Sequence, residues 1–353
     1  MISRLGRRQV PQQTNNCSRL LGMTHHAALP PFLYKLRPQY HTRVWGGQHL
    51  KSVPYGQTPV GEAWVVFDGN QVEGGPFEGQ TVEDVLAELG DTFLGQGVSG
   101  RFGGRFPLLI KLLDCEEWLS VQVHPDDEQA RELVGEGEFG KTEAWHFLKT
   151  DRGAKILAGV KAGTTPEALA QAIGGGSVME VADEQAVQAG DTVFIAAGTL
   201  HALGPGTLLY EVQQSSDTTY RVYDWDRPAS EGRTLHLEEA LKVTRSDLSA
   251  EVLPLPKLGS AEAATLAECP YFRLEVAEIA AGERLESHTR GQSVHALTVK
   301  SGRLELETAH ETLHLSALET VLISAHTGPY VLWALDGDVQ LLRSSLPPEQ
   351  ETP

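Results

Sequence analysis

No apolar run in this 353-residue chain approaches the roughly eighteen residues that a membrane-spanning helix needs, so no span is expected. Cysteine is scarce. Cys17, Cys115 and Cys269 are odd in number, widely spaced and fit no metal-binding pattern. That excludes a disulfide-stapled scaffold and points to free thiols in a reducing, cytoplasmic compartment. Basic charge is also in short supply: 29 Lys and Arg face 47 Asp and Glu, a formal net charge of −18. The balance disfavours nucleic acid and anionic membranes as partners. An anionic small substrate would need a local basic cluster to offset the global field.

What the chain does have is strand-like sequence. Residues 61–67, 106–113, 208–213 and 220–225 are short apolar runs bounded by Gly, Pro and Asp, the pattern of sandwiches or small barrels. Helices are few. Thr81 caps one through Leu89, Thr165-Pro166 opens one that Gly174-Gly175-Gly176 ends, and residues 237–243 form a third. They are expected to cover a sheet or link domains. An apolar fraction of 41% suffices for a folded globule, and the length suits two or three core-bearing units.

Polar residues break into the apolar strands at three places. In Leu119-Ser120-Val121-Gln122-Val123-His124-Pro125 the alternation puts Ser120, Gln122 and His124 on one face. The run Lys141-Thr142-Glu143-Ala144-Trp145-His146-Phe147 reads as a strand presenting a carboxylate, with His146 on the opposite face. The strand 191–195 runs into Ala197-Gly198-Thr199-Leu200-His201. Gln122, His124, Glu143 and His201 would together make a mixed N/O site for a divalent metal, zinc first, with a position open to water or substrate. Lys111 and Lys141 could supply the basic pocket that an acidic protein needs for an anionic small substrate.

A weak internal repeat relates residues 191–201 to residues 319–329, as two copies of one β-barrel unit would. Where the first copy has His201 the second has Pro329, so the second barrel is expected to have lost the metal. The expected organisation is a disordered extension over 1–22, with Met23 as an alternative start. A metal-binding catalytic domain over 23–245 follows, then a linker over 246–270. A degenerate C-terminal barrel over 271–345 and a disordered tail over 346–353 complete the chain.

Seven ordered blocks resemble type I mannose-6-phosphate isomerases, the zinc-dependent phosphomannose isomerases of the cupin superfamily. They are Arg43-Val44-Trp45-Gly46-Gly47, Gly61-Glu62-Ala63-Trp64, residues 106–111, residues 120–127, Gly140-Lys141-Thr142-Glu143, residues 198–203 and residues 216–224. They span roughly residues 30 to 245, in the manner of the short bacterial form.

The resemblance implies a mainly β fold of two cupin-like jelly-roll barrels with a few covering and linking helices. It implies one Zn²⁺ per chain on Gln122, His124, Glu143 and His201, with Arg221 as the active-site arginine and Asp217 as a substrate-facing polar residue. The implied reaction interconverts mannose 6-phosphate and fructose 6-phosphate through an enediol. The implied partner is thus a small phosphosugar, and the chain is expected to be a monomer or weak homo-oligomer. Two departures stand out. The histidine that precedes Lys-x-Glu in longer members is Gly140 here, and Ala196 replaces the second-motif proline of many cupins. The general base stays open among Glu211, Asp217, Lys141 and a water at the metal. Two rival readings remain: a non-haem iron oxygenase using the same two His and one carboxylate, and a non-catalytic sugar-phosphate-binding protein.

Overall fold

Short apolar runs between Gly-, Pro- and Asp-containing turns fold here as strands, and every pairing among the described strands is antiparallel. The computed structural model describes residues 32–50, 58–228 and 233–348; the expected extension over 1–22 lies outside the described residues. The first strands are β1 (Leu33–Lys35), β2 (Gln39–Gly47), β3 (Val60–Val66), β4 (Leu108–Cys115) and β5 (Val121–Val123). Next come β6 (Glu143–Thr150), β7 (Lys155–Val160), β8 (Ala182–Ala186), β9 (Thr192–Ile195) and β10 (His201–Leu203). Then follow β11 (Thr207–Gln214), β12 (Tyr220–Tyr223), β13 (Val252–Leu253), β14 (Glu262–Glu268), β15 (Arg273–Ile279) and β16 (Arg284–His288). The last are β17 (His295–Ser301), β18 (Arg303–Thr308), β19 (Thr312–Ser316), β20 (Thr320–Ile323), β21 (Pro329–Ala334) and β22 (Val339–Ser345).

These strands build two jelly-roll barrels, each a pair of sheets. The first pairs β13-β9-β6-β11-β4-β2-β3 with β12-β5-β10-β7-β8; the second pairs β1-β20-β17-β22-β15-β14 with β16-β21-β18-β19. The order β9-β6-β11-β4 recurs as β20-β17-β22-β15, and β5-β10-β7-β8 recurs as β16-β21-β18-β19. The sequence repeat thus falls on topologically equivalent strands: residues 191–201 span β9 to the start of β10, and residues 319–329 span β20 to the start of β21. The expected fold, mainly β with two such barrels, is the one observed.

The ends of the sheets are shared out less simply than the linear division suggests. Strand β1, early in sequence, pairs with β20 of the second barrel, and the stretch 246–270 carries β13 and β14. Each of the three covers a sheet edge that would otherwise present unpaired N–H and C=O groups. Leu346, at the start of the expected tail, is buried and donates its N–H to Ser293 Oγ at 2.8 Å; residues from 349 lie outside the described ones.

Alternation along the central strands explains their near-continuous apolar runs. On β4, Leu108, Ile110 and Leu112 face a core between the barrels that also holds Tyr210, Val212, Leu274, Val276, Leu322 and Leu342. Leu113 and Cys115 face the first barrel's interior with Trp145, Phe147 and Leu209. The two large sheets are thus buried on both faces, and Tyr210 Oη bridges them to Ser344 Oγ at 2.8 Å.

The helices behave as their caps predict. Val82–Leu89 starts at the Thr81–Asp84 capping box, Pro166–Gly175 at Thr165, and Leu237–Val243 lies where expected. A helix not anticipated, Asp127–Leu133, is opened by a capping box between Asp126 and Gln129 immediately after His124-Pro125.

His146 shows what the inter-barrel core costs. It is buried, faces away from Glu143, donates or accepts at Thr192 Oγ1 (3.0 Å), and takes a hydrogen bond from Lys300 Nζ at 3.2 Å. Burial, then the Lys300 charge, pushes its pKa down to about 3. An unfolded histidine takes a proton near pH 6.5, so this group's stabilisation is complete above that value and is lost as pH falls toward 3. Between about pH 7 and pH 5 the loss through His146 alone is about 2 kcal/mol. Urea midpoints of wild type and His146→Gln should therefore converge over that range. Parallel pH dependences would refute the assignment.

Candidate functional site

Strand β5 lies between β10 and β12, so Gln122 stands directly opposite both His201 and Arg221. Val121 and Val123 point outward into a core with Leu157, Leu169, Val222 and Val243, beneath the helices Pro166–Gly175 and Leu237–Val243. Period-two alternation then sends Gln122, and His124 just past the strand end, into the barrel. Glu143 begins β6 in the facing sheet, between Ile195 and Gln213. The imidazoles and the carboxylate thus come from opposite sheets and meet at the barrel mouth. His201 is the first residue of β10 rather than an extension of β9.

Both imidazoles are fixed as metal ligands would be. His124 donates Nδ1–H to Thr218 O and His201 donates Nδ1–H to Thr199 O, each at 2.8 Å, leaving the Nε2 lone pairs turned inward. Burial, then the Lys141 charge, holds His124 well below the usual histidine range; burial brings His201 to about 4. Both are neutral at pH 7. His124 Nε2 lies 3.6 Å from Glu143 Oε2, and His201 Nε2 lies 3.4 Å from Glu143 Oε1. Gln122 Nε2 lies 3.5 Å and 3.3 Å from the two histidine Nε2 atoms.

Ligand atoms about 2.1 Å from a tetrahedral centre stand about 3.4 Å apart, so these spacings fit a divalent ion. Both Glu143 oxygens are buried without a hydrogen-bond partner; Lys141 Nζ stands 3.4 Å from Oε2, and the lone pairs left facing the two imidazoles suit a bound cation. Gln122 fits in one of its two amide orientations. As placed, its Oε1 accepts from Ser120 Oγ at 3.1 Å; turned by 180°, Oε1 faces the imidazoles and Nε2 donates to the same hydroxyl. His124, Glu143 and His201 are a candidate metal site, each of them buried.

Above this cluster opens a cavity of about 350 Å³ lined by Gln122, Lys111, Lys141, Glu211, Asp217 and Arg221. Lys141 Nζ lies 3.4 Å from Glu143 Oε2. Lys111 Nζ lies 3.5 Å from Glu211 Oε1 and 3.5 Å from Asp217 Oδ1, and sits over the Trp64 ring at 5.2 Å. Burial alone would lower the Lys111 ammonium, but Glu211, Asp217, Glu62 and Glu143 outweigh it and keep the lysine charged. Burial, then the Glu143 charge, raises Glu211. Its Oε2 accepts from Trp145 Nε1 at 3.1 Å, while Oε1 is buried with no hydrogen bond. Arg221 Nε is likewise buried and unpaired.

The structure brings all eight sequence-derived residues to one mouth: Gln122, His124, Glu143, His201, Lys111, Lys141, Asp217 and Arg221. Lys111 sits mid-strand and buried. Trp45 both walls the cavity and belongs to the core. Sequence reasoning gave no role to Arg43 and Arg233, which also line the cavity. Arg43 forks onto Glu62 at 3.0 and 3.1 Å, while Arg233 forks onto Asp224. Neither pairing has a local spacing signal: β2 and β3 bring Arg43 to Glu62, and the loop after β12 brings Arg233 back to Asp224. Gly140 has a packing reason: a Cβ there would stand 2.5 Å from the backbone carbon of Asp126, so no histidine fits without moving the helix start.

A family profile described as phosphomannose isomerase type I, catalytic domain, matches residues 33–141. The mannose-6-phosphate isomerase of Streptococcus mutans is 34% identical over 325 residues, spanning 88% of this chain and 96% of that protein. The chain belongs to the type I mannose-6-phosphate isomerase family. Among solved members, the mannose 6-phosphate isomerase of Bacillus subtilis superposes with a TM-score of 0.76 at 29% identity, over 89% of this chain and 99% of that one. A zinc-bound mannose 6-phosphate isomerase shares the fold at a TM-score of 0.71 and 16% identity, over 88% and 99%. Like this one, the family fold is mainly β and cupin-like. No helix among the described residues is long and apolar enough to cross a membrane.

Proposed function

We propose that this chain is a zinc-dependent aldose–ketose isomerase that interconverts mannose 6-phosphate and fructose 6-phosphate, with one ion per chain. The observation that carries the reading is the buried Glu143 carboxylate. It has no hydrogen-bond partner, faces two neutral imidazoles, and lies beneath a cavity lined by lysine and arginine. Family membership supplies the substrate, and a zinc-bound protein of the same fold supports the metal. We assign the four ligands as Gln122, His124, Glu143 and His201. When bound, the ion supplies a positive charge that favours ionised oxygen on the sugar.

The reaction exchanges two protons: the hydrogen on C2 moves to C1 and the O2 proton moves to O1, by way of an enediol. Glu211 fits the carbon shuttle. It lines the cavity, its Oε1 is free of hydrogen bonds, and burial raises its pKa toward the range a general base needs. Lys111, kept charged by its carboxylate neighbours, and Lys141 line the cavity where they would stabilise negative charge on the sugar oxygens. The planar fork of Arg221 binds phosphate or the anionic oxygens, and Asp217 at the rim holds Lys111 in place.

A coupled assay of mannose 6-phosphate conversion on zinc-loaded protein tests the reading; absence of turnover would sink it. In the same assay Arg221→Ala should lower kcat/KM by about 10²-fold, the loss of one or two charge-assisted hydrogen bonds. Zinc content should stay at the wild-type value, because the Arg221 side chain makes no hydrogen bond or ion pair with any of the four assigned ligands. Full activity in that variant would remove Arg221 from the site.

A further inference from the structure

The second barrel repeats the first in register as well as in order. Glu143 pairs with Ile195 and Gln213; His295 pairs with Ile323 and Ser345. Lys111 pairs with Glu211; Glu275 pairs with Arg343. Gln122 pairs with His201; His288 pairs with Pro329. The positions of Glu143, Lys111, Glu211, Gln122 and His201 are therefore occupied by counterparts of different chemistry. A carboxylate becomes an imidazole, a histidine becomes proline, and a Lys–Glu pair becomes Glu–Arg. At this mouth lies a cavity of about 680 Å³, against about 350 Å³ at the first.

The hydrogen-bond chain makes this second mouth a donor surface. Arg343 donates Nη1–H to Tyr330 Oη at 3.3 Å and to Ser287 Oγ at 2.5 Å, and Nε–H to Glu275 Oε2 at 2.9 Å. Tyr330 Oη lies 2.8 Å from His295 Nδ1; with the hydroxyl as donor in that pair, the proton of the neutral imidazole sits on Nε2. Burial, then Arg343, keeps His295 neutral, at about 3. His288 Nδ1 accepts from Arg290 N–H at 2.7 Å, so its Nε2 also carries a proton. Arg273 Nε is buried without a partner. The two carboxylates lining the cavity, Glu275 and Glu286, are engaged by Arg343 and Arg284. Where the first mouth offers lone pairs to a cation, the second offers N–H groups.

We propose that the mouth of the second barrel is a metal-free binding site for a small phosphate-bearing anion, held by Arg343, His295, His288, Arg290 and Arg273. A tetrahedral anion suits donors that approach from strands on both sheets, and arginine forks match its oxygens. The volume is that of a small-molecule pocket.

The test uses the full, zinc-loaded chain. Inorganic phosphate and glucose 6-phosphate are titrated separately, following the imidazole resonances of His288 and His295 by NMR and the stoichiometry by equilibrium dialysis. The expected result is saturable movement of both imidazoles and a binding site that persists in Arg221→Ala. Arg343→Gln should weaken that site by about tenfold or more, the loss of a charged hydrogen bond. Arg290→Ser, at the exposed rim, should weaken it without touching the core. Both variants should keep wild-type isomerase turnover. Tighter binding of the ester would assign a sugar phosphate and tighter binding of the free ion would assign phosphate; either supports the site. Unmoved imidazoles, or binding that neither variant weakens, would overturn it.

Discussion

Glu143→Gln is expected to abolish metal retention and turnover together, by at least about 10³-fold in kcat/KM at one zinc per chain. Glu143 brings the only formal charge among Gln122, His124, Glu143 and His201. Its two oxygens stand 3.4 and 3.6 Å from the histidine nitrogens and accept no hydrogen bond, with Lys141 Nζ 3.4 Å from Oε2. The glutamine is nearly isosteric, so shape is kept and charge is removed. Atomic emission on dialysed protein measures the metal and the coupled assay measures the rate. In wild type a chelator should remove activity and added zinc should restore it; in the variant zinc should restore nothing. Activity in metal-free wild type would reject the metal's role altogether.

Glu211→Gln separates the proton shuttle from the metal. Loss of a positioned general base costs roughly 10²–10⁴-fold in kcat, with zinc content unchanged and KM within a few-fold. The pH profile carries the distinguishing signature. Glu211 must be ionised to accept a proton, and its pKa is raised by burial and then by Glu143. Wild-type kcat should therefore fall as pH drops through that raised value, and the limb should vanish in the variant. A retained acidic limb with modest loss of rate would pass the base role to Lys141 or Asp217, which line the same cavity.

Much of the site was legible because strands have period two. Val121-Gln122-Val123-His124 needs only alternation to put Gln122 and His124 on one face, and the same rule places Glu143 apart from His146. The caps at Thr81 and Thr165 were readable for an equally local reason, since capping is a matter of three or four residues. The repeat was readable because both copies keep the same apolar strand before a turn. The Asp126 cap was missed although its signal, Asp-x-x-Gln, is present after Pro125.

What lay beyond sequence is long-range pairing. That Lys111 is buried rather than a surface lysine depends on Glu211, a hundred residues away on the neighbouring strand. That β1 closes the second barrel, and that β13 and β14 edge two different sheets, depends on which edges were open. The charge inversion between the mouths appears only when registers are compared. The amino-acid order by itself determined the strands, the faces their polar residues take, and the set of residue types able to hold a metal, because these follow from local periodicity and side-chain chemistry. Only the tertiary structure decided which lone pairs meet and which charges are buried together, and which residues of the second barrel stand where the first barrel has Glu143, His201 and Lys111. Those outcomes are set by register between strands far apart in sequence, which no local pattern encodes.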